Sequence, residues 1–416
     1  MTILRRPAEL RTDPLVRNSF FLMATTALSA AGGFVFWVVV ARLYSVDDVG
    51  RATTLLSAVT LLNYFSQFGL TSTVVRFLPG SRERDELVGS AVTLVTVTGL
   101  VLAAGFAVIA PHFVPELSFV SAGAGTVGLF AVLATASALN LLTDSVFVAL
   151  RAAKVNLLVD GVLMGGLKLL LPLLFAAAGA MGIFAASGLA SAAAALVSVV
   201  VMYRVSGIRV RLRLSRHVLR STMRYSLGNY LSSCLNLLPL LVIPVVVLHQ
   251  LGPATAAAYF MAFQIANLLN AVPFAVGEAT FAEGSHDGEM LRRLAKRSAL
   301  LMTAVCVPAV AVTILLAHPV LSVFGRTYAD DAQGALVVLA ISVLPVAFNT
   351  WASFLLKVTR RLRVMTVSNV VYAVATIGLV LVAAPHGPAW IAAAWGAGNL
   401  LSGLAALPGL RWREAR

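Results

Sequence analysis

Thr25-Thr-Ala-Leu-Ser-Ala-Ala-Gly32 and Ser232-Ser-Cys-Leu-Asn-Leu-Leu-Pro239 lie 207 positions apart and share one design. Hydroxyl or amide side chains meet at Thr25/Ser232, Thr26/Ser233 and Ser29/Asn236. A bend-prone residue meets another at Gly32/Pro239, and Arg17/Arg224 precede both stretches. In the next apolar stretch the same offset sets Ser57, Thr60 and Asn63 over Gln264, Asn267 and Asn270. Small and polar residues that recur at matched depth inside apolar segments point to an internally repeated transporter with its pathway beside them.

The composition is that of a membrane protein: 59% hydrophobic, 12% charged, with a mean hydropathy of +0.92. Apolar runs of about 20 residues, enough to cross roughly 30 Å of hydrocarbon, recur along the chain. Twelve are read, among them 18–43, 52–78, 119–142, 155–177, 225–248 and 255–282. The basic stretch at 5–17 precedes an apolar run too long for a signal core, so span one is read as an anchor.

A net charge of +14 would suggest nucleic acid in a soluble protein. Here all of the 31 Lys and Arg except Arg42, Arg51, Arg326 and Lys168 fall on the two tails and on alternate loops. By the positive-inside rule both termini face the cytoplasm of a cell membrane and no nucleic-acid role follows. This placement also supports the span count, because a missed helix would scramble the alternation.

The Arg-rich segment 204–224 divides six spans from six. The expected organisation is a cytoplasmic tail at 1–17, a six-helix lobe at 18–203, the linker 204–224, a second lobe at 225–410 and a tail at 411–416. An even number of spans per half makes the halves related by an axis along the membrane normal. The fold class is therefore all-α and multi-pass, two pseudo-symmetric six-helix bundles facing one cavity. In the linker, Arg209, Arg211 and Arg213 alternate with Val210 and Leu212, which suits either a plain topology signal or contact with anionic lipid.

Candidate cavity residues are Thr25 and Ser29 in span one, Asn63 and Gln67 in span two, Asn236 in span seven, and Gln264, Asn267 and Asn270 in span eight. Uncharged donors and acceptors suit a hydroxyl-rich ligand. Exposing an unpartnered hydroxyl to hydrocarbon costs roughly 2–7 kcal/mol, so a sugar chain needs a polar cleft. The same residue types also pin packed helices together. Lys168 lies deep in span five, positioned to bind phosphate, or else to snorkel or form an internal structural pair. Arg76 at the inner end of span two and Glu278 in span eight form a candidate inner gate, with independent helix-end charges as the alternative. Gly32, Gly33, Pro239 and Pro244 mark bends at corresponding depth, and Gly161 and Gly165 suggest a close helix contact. Cys234 and Cys306 are isolated in apolar spans, and the histidines are scattered without ligand spacing. No metal, no cofactor and no catalytic constellation is expected, which argues against an enzyme.

Gly33-Phe-Val-Phe-Trp-Val-Val-Val-Ala-Arg-Leu-Tyr-Ser-Val-Asp-Asp-Val-Gly50 and Phe68-Gly-Leu-Thr-Ser-Thr-Val-Val-Arg-Phe-Leu-Pro79 resemble the opening of Wzx-type polysaccharide transport flippases. These belong to the multidrug/oligosaccharidyl-lipid/polysaccharide (MOP) exporter superfamily. The resemblance is sharpest over residues 17–90. It implies two lobes in which spans one, two, seven and eight border a central cavity, and a polyprenyl-diphosphate-linked oligosaccharide as cargo. Lipid II flippases of the superfamily usually have fourteen helices and cavity arginines, which this chain lacks. Drug exporters tend to carry an acidic residue in an early helix, and residues 18–43 have none. The expected partners are the lipid-linked oligosaccharide, membrane lipids, a coupling ion and polysaccharide assembly proteins. A cation-coupled multidrug exporter remains the alternative.

Overall fold

The computed structural model describes residues 14–284 and 291–410. Residues 1–13 of the expected N-terminal tail and the whole tail at 411–416, including Arg5, Arg6, Arg11, Arg411, Arg413 and Arg416, lie outside the described residues. So do His286 and the side chains of Arg17, Arg224, Ser232, Ser233 and Glu283.

Twelve long helices and no strand occur among the described residues. They are α1 Pro14–Leu43, α2 Val46–Gln67, α3 Arg84–Phe113, α4 Ala124–Ala149, α5 Ala153–Leu174, α6 Gly179–Ser206, α7 Arg216–Leu251, α8 Pro253–Gly284, α9 Leu291–Leu315, α10 Arg326–Val358, α11 Leu362–Ala383 and α12 Pro388–Ala406. Eleven are long and apolar enough to cross a membrane. The twelfth is α2, whose two aspartates, arginine, hydroxyls and amides lower its hydropathy. Large aliphatic side chains point outward along the helices, with Leu315 80% and Leu174 75% exposed. Such a surface is stable in lipid and not in water, because helices satisfy their own backbone groups. The protein is a multi-pass membrane protein.

Three boundary differences bear on the site and the linker. Span two is not continuous to residue 78: α2 ends at Gln67, and Phe68 (φ 45°) and Gly69 (φ 75°) turn the chain into a short helix, Leu70–Phe77. Span four runs on from 142 to Ala149, taking Asp144 into the helix. The linker shortens to nine residues, because α6 continues to Ser206, Gly207 caps it at φ 68°, and α7 already starts at Arg216.

The chain forms two compact units, one of residues 1–45 and 59–231, the other of residues 46–58 and 232–416. In the first, the short helix, α3, α4 and α6 enclose a core of Leu70, Val74, Val88, Leu142, Phe147 and Met202, while α1 packs along α5. Tyr44 Oη donates to the Pro172 carbonyl at 2.7 Å, tying the end of α1 to α5. In the second unit α8 packs on α10, α10 on α12 and α12 on α11. The Val46–Ala58 stretch of α2 belongs there: Thr54 Oγ1 donates to the Pro244 carbonyl at 3.3 Å.

The repeat is visible in the backbone. Arg151 after α4 (φ 56°) and Arg360 after α10 (φ 55°) both adopt the left-handed conformation. Around them the same bonds form, Ala152 N to Phe147 O at 2.8 Å and Arg361 N to Leu356 O at 2.9 Å. This is the six-residue closure that satisfies the last carbonyls of a helix and reverses the chain. The two turns are 209 positions apart, a drift of two residues from the offset at α1 and α7.

Candidate functional site

The densest buried polar chemistry in the first unit lies where α4 meets α5. α4 carries Asn140 and Asp144, α5 carries Asn156, Asp160, Met164 and Lys168, and each series runs at spacings of four, so each lines one helix face. Between Leu157 and Met164, α5 widens to a π-helical turn, a distortion found often at functional sites. Asn140 Nδ2 donates to Asp160 Oδ1 at 3.1 Å and lies 3.9 Å from Met164 Sδ. Asn156 Nδ2 donates to the Asp144 carbonyl at 3.3 Å. The Asp144 and Asp160 carboxyls lie within electrostatic reach of each other. Lys168 is half-buried within Coulombic reach of Asp160.

Three oxygens in this cluster have no hydrogen-bond partner: Asn140 Oδ1, Asp144 Oδ1 and Asn156 Oδ1. Asn140, Asn156 and Asp160 are only 6%, 4% and 6% exposed. Leaving buried acceptors unpaired costs about 1–3 kcal/mol each, so they call for a donor or a cation. An all-oxygen set suits a proton or a hard monovalent ion. Among the described residues no group of three His, Cys, Asp or Glu could hold a metal. The sequence reading passed over this cluster, because ending span four at 142 left Asp144 in a loop. The signal available was Asn-x-x-x-Asp on both sides of a short turn.

The residues expected to line a cavity are placed as follows. Thr25 Oγ1 donates to the Phe21 carbonyl of its own helix at 2.8 Å, and Ser29 is exposed. Asn63, with its amide nitrogen facing the acceptors, donates to the Ala134 carbonyl of α4 at 3.0 Å and to Val59 O at 3.3 Å. Gln67 is 3% exposed, and its Nε2 donates to the Ala138 carbonyl at 3.3 Å. These two amides therefore bind α2 to α4. Asn63→Ala and Gln67→Ala are each expected to lower stability by about 1–2 kcal/mol. Thermal unfolding in detergent measures this, and lost transport at unchanged stability would show that helix pinning is not their main role.

In the second unit, Gln264 is half-buried and Asn267 is exposed on α8, with Asn270 Nδ2 donating to Asn267 Oδ1 at 3.4 Å. Asn236 Nδ2 of α7 donates to Asn369 Oδ1 of α11 at 3.3 Å. A second amide pair joins α10 to α12, Asn349 Nδ2 to Asn399 Oδ1 at 3.0 Å, and Ser402 Oγ donates to Asn349 Oδ1 at 3.0 Å. Asn349 and Asn369 stand 209 positions after Asn140 and Asp160, the offset of the matching turns. The two units thus carry repeat-related polar interiors, acidic in the first and amide in the second. Position 144 is matched by Ser353, so neither acid has an acidic counterpart.

Arg76 lies exposed in the short helix, its guanidinium 5.6 Å from the Phe77 ring. Glu278 is exposed on α8 and within Coulombic reach of Lys357 of α10, whose Nζ sits 4.5 Å over the Phe354 ring. Of the suspected close-packed glycines, Gly161 faces Leu28 of α1, whereas Gly165 has room for a side chain. An apolar groove of about 410 Å³ opens between α9 and α10, lined by Met302, Cys306, Val307, Leu344, Phe348 and Trp351.

The fold is shared with solved MOP transporters. A multidrug resistance MATE family transporter in its inward-facing conformation superposes with a TM-score of 0.72 at 16% identity, covering 94% of this chain and 97% of that one. The lipid II flippase MurJ in an inward closed conformation gives 0.73 at 12% identity, covering 94% and 88%. A MOP superfamily transporter from Pyrococcus furiosus gives 0.62 at 18% identity, covering 97% and 96%. No curated protein matches the chain in sequence. The family model described as "polysaccharide biosynthesis protein" matches residues 39–333, from the end of α1 into α10 and so across the acidic interior, and the chain belongs to that family.

Proposed function

We propose that the protein flips a polyprenyl-diphosphate-linked oligosaccharide from the cytoplasmic to the outer leaflet for cell-surface polysaccharide biosynthesis, by alternating access of its two halves. The observation that carries this reading is the amide ladder of α8, with Asn267 exposed and bonded to Asn270, in a chain of the polysaccharide biosynthesis family. An exposed amide on a membrane-spanning helix is stable only against water or a polar ligand, and amides without fixed charge suit sugar hydroxyls. The fold shared with a lipid II flippase is consistent with a lipid-linked cargo. The apolar groove between α9 and α10 offers a lining suited to a prenyl chain.

A coupling cation, a proton or a small alkali ion, is assigned in this reading to the Asp144–Asp160 cluster. Membrane potential adds to it: with two negative charges on the cargo and an interior-negative membrane, outward movement gains roughly 5 kcal/mol per 100 mV. Reconstituted vesicles carrying a lipid-linked oligosaccharide test both terms. Flipping should slow when the potential is collapsed at constant pH gradient, and unchanged flipping would count against the electrical term.

Arg76 and Glu278 are retained as a proposed inner gate. Arg76→Glu or Glu278→Arg alone should impair flipping severalfold, and the double exchange should restore it. A double variant no better than the singles would remove the gate.

The second reading, a cation-coupled multidrug exporter, is favoured by the buried carboxyl pair and by the MATE-like fold. It predicts dye efflux and drug resistance on expression, which the flippase reading does not.

A further inference from the structure

The connection from α6 to α7 is a fastened strap. Ile208 is buried, and Val210 packs half-buried on the core of the first unit. Arg209 N donates to Asp85 Oδ1 at 3.1 Å. Buried Ser90 then clamps the strap twice, donating from Oγ to the Arg213 carbonyl at 3.1 Å and accepting from Ser215 N at 3.0 Å. Gly89 lets the Arg211 carbonyl lie directly on α3, where any Cβ would collide with it. Nine residues between two long helices need no such fastening merely to connect them.

Pinning the backbone fixes what the side chains present. Arg209, Arg211 and Arg213 alternate in this extended segment and are all exposed. Among the described residues none of the three has a carboxylate partner, although Arg209 lies 6.0 Å from the Tyr203 ring. The acids of the neighbouring α3 start are Glu83, Asp85 and Glu86, with Arg82 and Arg84 between and before them. Asp85 is engaged by the strap backbone, not by a guanidinium. The intervening Leu212 and Leu214 are 70% and 51% exposed, next to Tyr203 at 49% and Val205 at 62% on α6. The strap lies where one spanning helix ends and another begins, at a membrane face. Alternating cationic and aliphatic side chains held there match the headgroup–acyl boundary of a bilayer.

We infer that residues 209–214 form a docking strip for anionic phospholipid headgroups, with the three guanidinium groups on the phosphates and Leu212 and Leu214 in the acyl layer. The site needs no cargo, so it can be tested apart from the flipping activity. Native mass spectrometry of the purified full chain, titrated with phosphatidylglycerol or phosphatidylcholine, reads it directly. Each arginine near an anionic surface contributes about 1 kcal/mol, so R209Q/R211Q/R213Q should weaken phosphatidylglycerol retention by roughly a hundredfold. Phosphatidylcholine retention should be unchanged. The lysine version R209K/R211K/R213K should keep most of the preference, and Ser90→Ala should reduce it by loosening the strap. Thermal unfolding checks that each variant is folded. Equal retention of phosphatidylglycerol by wild type and the glutamine variant would overturn the inference. So would a strip that holds a prenyl diphosphate but not phosphatidylglycerol, which would make it part of the cargo path.

Discussion

Asp160→Asn is expected to leave the protein folded and to reduce flipping by roughly 10- to 100-fold, the range seen when a group supporting an ion site is lost. The amide keeps an oxygen for Asn140 Nδ2, so the 3.1 Å bond between α4 and α5 survives. The second unit supplies an internal control, since Asn369 occupies the repeat-related position and accepts from Asn236 at 3.3 Å. What the substitution removes is the carboxyl charge beside Asp144. Ionisable groups at membrane depth are costly to keep, and this pair has no purely structural equivalent in the other half. Reconstituted flipping and a thermal unfolding curve on the same preparation separate the outcomes. A folded Asp160→Asn variant with full activity would show that the carboxyl pair is structural. Asp144→Asn should behave in the same direction, whereas Lys168→Gln should change the dependence on external cation without abolishing transport.

Gly398→Leu should fail at an earlier stage, destabilising the second unit by about 3 kcal/mol. α12 turns Gly396, Gly398 and Gly403 toward its neighbours. A Cβ at 398 would run into Thr376 of α11, and one at 396 into Ser342 of α10. Thr376 is fully buried, and Ser342 is 4% exposed with its hydroxyl donating to the Ala392 carbonyl at 3.1 Å. Neither can retreat without breaking the packing of three helices, because small residues are what let membrane helices approach closely. Loss of a monodisperse peak in detergent, or a large drop in unfolding temperature, is the expected readout. Gly32→Ala is the matched control. A Cβ there meets no atom within 4 Å, and alanine favours the helix.

The fold was legible because apolar length and charge alternation are properties of whole segments. The junctions Gly252-Pro253 and Gly387-Pro388 carry a sharper signal than the segment reading used: a glycine at φ 85° or 106° ends one segment, and proline opens the next helix. What resisted reading was local. The span over α2 was read in spite of its polar residues, but its break at Phe68 is a left-handed non-glycine turn that no propensity announces. The residues of α2 that looked most like a pathway, Asn63 and Gln67, reach carbonyls of α4. An amide's partner is decided by a neighbouring helix and not by its own sequence. The acidic cluster was hidden by an offset. At 207 residues Asp160 falls on Val367, and at 209 it falls on Asn369, where the matching turns show the alignment belongs. The repeat is thus informative, but only after structure supplies the register of each helix pair.

Deleting the gene and measuring which leaflet holds the polyprenyl-linked oligosaccharide tests outward flipping of a lipid-linked glycan in the cell itself. Full-length lipid-linked glycan should accumulate on the cytoplasmic leaflet and the surface polysaccharide should be lost, with both defects reversed on re-expression of the wild type but not of Asp160→Asn. Unchanged leaflet distribution and surface polysaccharide, accompanied by altered dye efflux, would contradict it and assign the molecule to drug export.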